Sequence, residues 1–259
     1  MHKKRYFYLV ELQYLGFRYH GWQKQPGVVT IEKMVHRTLS FVLNHKNFKV
    51  LASGRTDAKV SANMTYMELF VDDEPLDIDT FFPLFNANLP PDIRGLSISE
   101  VDKDFNIILA PKMKEYLYFF SFGKKAHPFA APFMVNIQGD LNLEIMKEAA
   151  TLFEGHKDYR TYVYKPNPET QTLVRIEKAE IVRNTMYTAN FFPEESYAFR
   201  VRGKGFKRQQ IRLMMGALFD LGKGKMDLDF FKKTLEPGNE IKLEHIAQSS
   251  GLILNEVVL

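Results

Sequence analysis

"FKVLASGRTDAKVSANMTYMELFV", residues 48–71, is the stretch that decides the fold. Its two ends, "FKVLAS" and "MTYMELFV", are rich in β-branched and aromatic residues and read as strands. Between them "SGRTDAKVSA" (53–62) is polar and contains a glycine, so strand follows strand through a short connection. Upstream, Ile31, Met34, Val35, Thr38, Leu39 and Val42 recur at helical spacing, with Thr30 placed to cap and Val29 and Met34 to form a hydrophobic staple. Before that helix, "FRYHGWQKQPGVV" reads as a loop. Earlier still, "RYFYLVELQYLG" reads as a strand with Tyr6, Tyr8, Val10 and Leu12 on one side. Downstream, "DIDTFFPLFNANLP" is a weaker helix interrupted by Pro83, and "IRGLSISEV" is another strand. The order is strand, helix, strand, strand, helix, strand.

The rest of the chain approximately repeats this rhythm. "KEYLYFFSFG", "TLVRIEKAEIVR", "SYAFRVRG" and the closing "GLILNEVVL" read as strands. "NLEIMKEAATLFEG" reads as a helix capped by Asn142 with Gly155 past its end. "FKRQQIRLMMGALFDLG" reads as a helix ending at Gly222, "LDFFKKTLEPG" as a short extra one, and "HKDYRTYVYKPNPETQ" as a long polar loop. Two βαββαβ-like halves predict an α+β fold of two ferredoxin-like lobes with mainly antiparallel sheets. The division falls at residues 1–107 and 108–259.

The bulk numbers narrow the function. Apolar residues make up 45% and charged residues 25% of the 259, the profile of a soluble globular protein. No run of about 18 apolar residues predicts a membrane span. Glu11 and Gln13 break the apolar part of the basic N-terminus, and no small-residue cleavage site follows, which argues against a secretory leader. Cysteine is absent, which removes disulfides, thiolate nucleophiles and Cys-ligated metals and fits a reducing cytoplasm. The seven histidines form no HExxH or HxH pattern, so no metal site is expected. A net charge of +4 and a pI near 9.0 are compatible with a polyanionic partner.

Read one at a time, the residues that could carry chemistry have ordinary roles. Asp57 suits a turn cap. Arg55, two residues away, suits an ion pair with it, although the same pair would also suit an ionised nucleophile. Tyr116 and Tyr118 share a face of an aromatic strand. Arg200 and Arg202 share a strand face opposite Tyr197, Phe199 and Val201. Arg208 falls one helical turn before Arg212, and Lys204 and Lys207 add positive charge nearby. Trp22, the only tryptophan, suits a loop anchor.

Their order along the chain says more. "YLGFRYHGWQKQP", "ASGRTDAKVSA", "FNANLPPDIRGL", "KEYLYFFSFG", "GFKRQQIRLMMGALFDLGKGK" and "SSGLILNEVVL" follow one another from near residue 6 to the C-terminus. This series resembles the TruA family of tRNA pseudouridine synthases. The resemblance implies an enzyme that isomerises uridine to pseudouridine in the anticodon stem-loop of tRNA without cofactor, metal or energy source. Asp57 falls on the family's catalytic aspartate, which attacks the nucleoside at the sugar C1′ or the base C6. Arg55 matches the arginine that assists base flipping, a step required because a paired uridine is stacked inside the helix. Tyr116 matches the tyrosine that stacks on the uracil, although the register could place Tyr118 there. Arg212 matches the arginine that pairs with the aspartate. Gln23 and Gln25 match a loop that contacts RNA. Lys59, Arg200, Arg202, Lys204, Lys207 and Arg208 are expected to meet phosphates of a central basic RNA-binding cleft. The family also implies a cytoplasmic homodimer in which one tRNA touches both subunits.

Some positions depart from the family pattern. Lys59 stands where glycine follows Asp-x, Ser61 where histidine is common, and Leu15 where aspartate is usual. "RQQIR" replaces a more apolar stretch. If position 59 takes a positive φ, lysine costs about 1 kcal/mol there. Lys59 also sits beside the expected nucleophile, so RNA selectivity is the property these changes would touch.

Overall fold

The first strand, β1 (Arg5–Tyr14), turns Tyr8, Val10, Leu12 and Tyr14 into the core, as its alternation predicts. The computed structural model describes residues 4–259. The chain divides into two units, one running to Lys112 and also including Leu254–Leu259, the other Met113–Ile253. The sequence division at 107/108 falls in the connection just before the first boundary.

In the first unit, β1 is followed by α1 (Ile31–Val42), β2 (Phe48–Ala52), β3 (Ser61–Asp72), α2 (Ile78–Asn88) and β4 (Ile93–Glu100). β3 pairs antiparallel with β1 along one edge and with β2 along the other, and β4 pairs antiparallel with β1. The resulting order, β4-β1-β3-β2, is that of a ferredoxin-like sheet. Thr30 Oγ1 accepts from the Lys33 N–H at 3.3 Å and caps α1. Val29 is 42% exposed, so the staple expected with Met34 buries little. α2 runs through Pro83 and buries Phe81 and Phe85, whose stacked rings lie 5.7 Å apart.

The second unit contains β5 (Met113–Gly123), β6 (Val135–Gln138), α3 (Leu143–Thr151), β7 (Gly155–Asp158), β8 (Leu173–Arg183), β9 (Tyr197–Gly203), α4 (Gln210–Gly222) and α5 (Leu228–Lys233). Its order is β5-β9-β8-β7, antiparallel throughout, with β6 added parallel to β5. Asn142 Oδ1 caps α3 by accepting from the Ile145 N–H at 3.2 Å. The chain closes with β10 (Leu252–Val258), which lies beside β3. Within each unit the strand pairing is therefore mainly antiparallel, and all the strands belong to one ten-stranded sheet rather than the two expected from the sequence. Among the described residues no helix is long and apolar enough to cross a membrane.

Two sequence expectations need correction. The polar stretch 156–171 is only partly a loop. Its first residues pair as edge strand β7, and the turn Arg160–Tyr162 buries Tyr159 and Tyr162 completely. Tyr162 packs edge-on against Phe153 at 5.1 Å, and the two tyrosine hydroxyls bond to Phe153 O and to Thr234 Oγ1. Polar composition concealed a core segment whose hydroxyls are satisfied internally. The arginine helix also starts later than the sequence suggests. Gln209 holds φ +56 and α4 begins at Gln210, so Lys207 and Arg208 belong to the preceding loop. The one-turn spacing of Arg208 and Arg212 does not apply.

Candidate active site

Asp57 sits on the β2–β3 connection, and another segment of the first unit grips that connection at several points. The Trp22 N–H donates to Thr56 O at 3.2 Å, and the Lys59 N–H donates to Tyr19 O at 2.9 Å. The Tyr14 hydroxyl bonds to Thr56 Oγ1 at 2.9 Å. Within the turn, the Val60 N–H donates to Asp57 O at 3.2 Å. Gly21 holds φ +85, and a Cβ there would stand 2.5 Å from Thr56 O, so only glycine lets the two segments close. Trp22 is buried and packs by Tyr14, which confirms its anchoring role. Asp57, on this clamped turn, is half-buried.

The neighbouring predicted residues divide by what they touch. Arg55 is exposed and donates to Gln23 Oε1 at 2.8 Å, so a member of the "HGWQ" loop holds the arginine that lies two residues before Asp57 in the chain. Gln25 turns inward on its own loop and donates to His20 O at 3.1 Å. Lys59 holds φ +66 with its ammonium 5.7 Å from the centre of the Phe17 ring. Position 59 therefore does take the left-handed backbone at which lysine carries a cost.

A second tie explains why "FNANLPPDI" accompanies the first motif. Asp92, just before β4, accepts from Arg18 through both carboxylate oxygens and from the Tyr19 hydroxyl at 2.6 Å. Burial alone would push the Asp92 carboxyl up, but the bonds from Arg18 and Tyr19 outweigh it and hold it below the usual carboxylate range. For Tyr19, burial and the bond to Asp92 push the hydroxyl up, well beyond neutral pH. Tyr19 thus links Asp92 on one side to the Lys59 N–H on the other.

In the second unit, β5 separates the two tyrosines by burial. Tyr118 is fully buried, donates to Gln248 O at 2.7 Å and meets Phe219 edge-on at 6.0 Å. Tyr116 is half-buried and meets Phe206 edge-on at 5.3 Å. Only the side chain of Tyr116 therefore retains a solvent-facing part. Arg200 donates through Nε to the buried Glu115 at 2.7 Å and lies 3.9 Å from Glu180, so neighbouring carboxylates offset its charge. Arg202 is half-buried on the same face of β9.

Arg212 is held by a reciprocal clamp. Its Nε donates to Ala247 O at 2.8 Å, while its backbone O accepts from the Ala247 N–H at 3.1 Å. One turn later, a Cβ on Gly216 would stand 1.9 Å from His245 O, so glycine admits the 245–247 segment against α4. Lys204 and Arg208 are exposed and Lys207 is half-buried on the loop between β9 and α4. Sequence reading missed Tyr164, which lies against Arg208, because the surrounding stretch read as featureless loop. Among the described residues no cluster of three His, Cys, Asp or Glu side chains could hold a metal ion.

Two α+β units, one presenting an aspartate on a clamped strand connection and the other a tyrosine strand and a basic loop, define a carboxylate-bearing protein suited to a polyanion. Comparison with known proteins narrows that class. A family model described as tRNA pseudouridine synthase matches residues 149–258. The tRNA pseudouridine synthase A of Geobacter sulfurreducens is 30% identical over 246 residues, 95% of this chain and 96% of that protein. That of Bacteroides fragilis is 29% identical over 257 residues, 99% and 97% of the two chains. A tRNA pseudouridine synthase A 2 of Bacillus cereus is 29% identical over 252 residues, 96% and 98%. The chain belongs to the tRNA pseudouridine synthase family.

Proposed function

We propose that this protein isomerises uridine to pseudouridine in tRNA, in the anticodon stem-loop, with Asp57 as nucleophile. One observation carries the reading: likeness to tRNA pseudouridine synthases runs along almost the whole chain, so Asp57, Tyr116 and Arg212 all lie within it. The reaction is internally balanced. The N1–C1′ bond breaks, the uracil turns, a C5–C1′ bond forms, the C5 proton leaves and N1 gains one. Attack at C1′ or at C6 requires the carboxylate form of Asp57. The clamp on Thr56 and Lys59 supports this role, because a nucleophile on a fixed turn loses little freedom when it meets its target.

The remaining residues take supporting parts. Arg55, steadied by Gln23, assists flipping of the target nucleotide. Tyr116 stacks on the uracil, and Arg212 orients the carboxylate. Lys59, Arg202, Lys204, Lys207 and Arg208 meet phosphates. Gln25 and Arg200 contribute through the protein, since their side chains already bond to His20 O and Glu115. The protein acts in the cytoplasm as a homodimer.

The test compares wild type with Asp57→Ala on unmodified tRNA, mapping pseudouridine by chemical-adduct primer stops. Wild type is expected to form pseudouridine in the anticodon arm and the variant none. Absence of product from wild type on every tRNA would overturn the enzymatic reading. Product from Asp57→Ala would remove Asp57 as nucleophile.

A further inference from the structure

Three side chains of the second unit, Tyr164, Lys165 and Arg208, converge on one aromatic ring. Tyr164 follows the buried turn at Arg160–Tyr162, and its backbone N–H donates to Arg208 O at 3.2 Å. That bond ties the 164–172 segment to the loop preceding α4. The Arg208 guanidinium carbon lies 5.1 Å from the Tyr164 ring centre, and the Lys165 ammonium lies 5.3 Å from the same centre. Lys165 holds φ +48, in the left-handed region that favours glycine. A strained lysine and an arginine thus rest on one aromatic ring, although like charges repel. Among the described residues neither cation shares an ion pair with a carboxylate.

Ring attraction stabilises each cation, and a bound anion would supply the charge partner that no carboxylate among the described residues provides. The anion that suits the pair is a phosphate, since a guanidinium donates to its oxygens in a planar fork and an ammonium adds a compact charge. Lys204 and Lys207 lie on the same loop as Arg208, so the positive charge continues along the chain. We propose that Tyr164, Lys165 and Arg208 form a platform that binds the phosphodiester backbone of the RNA substrate. The contact positions the strand and reads no base. This rests on the tRNA reading above and extends it to a segment outside the catalytic residues.

The experiment measures binding of an unmodified tRNA transcript to the full-length protein by fluorescence anisotropy between 50 and 200 mM salt. The variants are a Lys165→Gln, Arg208→Gln double, Tyr164→Leu, Arg208→Lys, and a charge-matched Lys232→Gln, Lys233→Gln double at the end of α5. Two lost phosphate contacts lower the log–log salt slope by about 1.4–1.8, so the platform double loses about ten-fold less affinity across that range than wild type. Tyr164→Leu keeps both charges and weakens binding by loosening them. Arg208→Lys weakens binding with little change of slope. Circular dichroism confirms that each variant is folded. Wild-type binding by the platform double, or an equal slope change in the control double, overturns the platform. Pseudouridine is scored separately on the same tRNA. A slope change without any product from wild type sinks the catalytic reading and leaves the platform, whereas product with an unchanged slope does the reverse.

Discussion

Position 59 shows how much one residue can announce and what it leaves out. A lysine where the family pattern places glycine raised the question of a left-handed backbone, and φ +66 answers it. Three effects of similar size then compete on replacement by glycine. Relief of the backbone contributes about 1–2 kcal/mol, while lost ring attraction and the freer unfolded chain each cost about 0.5–1 kcal/mol. Lys59→Gly is therefore expected to change stability by less than about 1 kcal/mol in either direction. Lys59→Val, a β-branched residue forced into the same conformation, is expected to lose about 1 kcal/mol or more. Denaturant midpoints check both, and a Val variant as stable as wild type would show that the turn relaxes freely. The sequence favours Tyr116 over Tyr118 as the site residue, and the structure adds their difference in burial. Both share a face of β5, and the packing of Phe219 and Gln248 around Tyr118 separates them.

Among the elements, strands with clear alternation were legible, whereas those held by backbone pairing alone were not. β1 and β3 carry their facing in the sequence; β7, "GHKD", has no apolar alternation and exists because it pairs with β8. The start of α4 differs from the sequence expectation for a related reason: Lys207, Arg208 and Gln209 are good helix formers, and the φ +56 at Gln209 that sets the start has no signal in the sequence. The ties between elements have a testable electrostatic signature. Asp92 fixes the start of β4 to the Arg18–Tyr19 segment, and its carboxyl titrates below the unfolded value. A depressed carboxyl stabilises the fold above the unfolded value, about 3.9, and loses that contribution as pH falls through the folded one. Asp92→Asn is expected to cost about 1–2 kcal/mol at neutral pH, the exposed side of Arg18 keeping the figure modest. The gap from wild type stays constant down to about pH 5 and closes as pH falls further. Urea midpoints from pH 7 to pH 3 measure it. A gap that widened toward acid would contradict the depressed carboxyl.

At the scale of the whole chain, the two strand–helix rhythms were legible, but the return of the last residues to the first unit was not. Periodicity shows that "GLILNEVVL" is a strand and which side it buries; it does not name a partner nearly two hundred residues away. The structure supplies the partner. Asn63 Nδ2 donates to Asn255 Oδ1 at 3.4 Å, and Gln13 Nε2 donates to Asn63 Oδ1 at 2.7 Å, a polar ladder across β1, β3 and β10. Leu254 and Val257 are each 1% exposed, and the Lys112 N–H donates to Val258 O at 2.8 Å. The unit carrying Asp57 is consequently incomplete until the C-terminus arrives, a long-range closure that slows folding. Deleting Leu254–Leu259 removes two buried side chains, worth about 1.5–3 kcal/mol each, and bares part of an edge of β3. Against a typical stability of about 5–15 kcal/mol, that loss is a large fraction of the whole. The truncated chain is expected to melt far below the full-length protein and to elute from a sizing column as aggregate. The full-length double substitution Leu254→Ala, Val257→Ala separates the two terms, because it keeps the backbone pairing while removing most of the burial. Its melting temperature is expected to fall between the other two. If the truncated chain melted like wild type, β10 would be an ornament on the first unit's sheet, and the tie between the chain's end and the Asp57 unit would carry no stability.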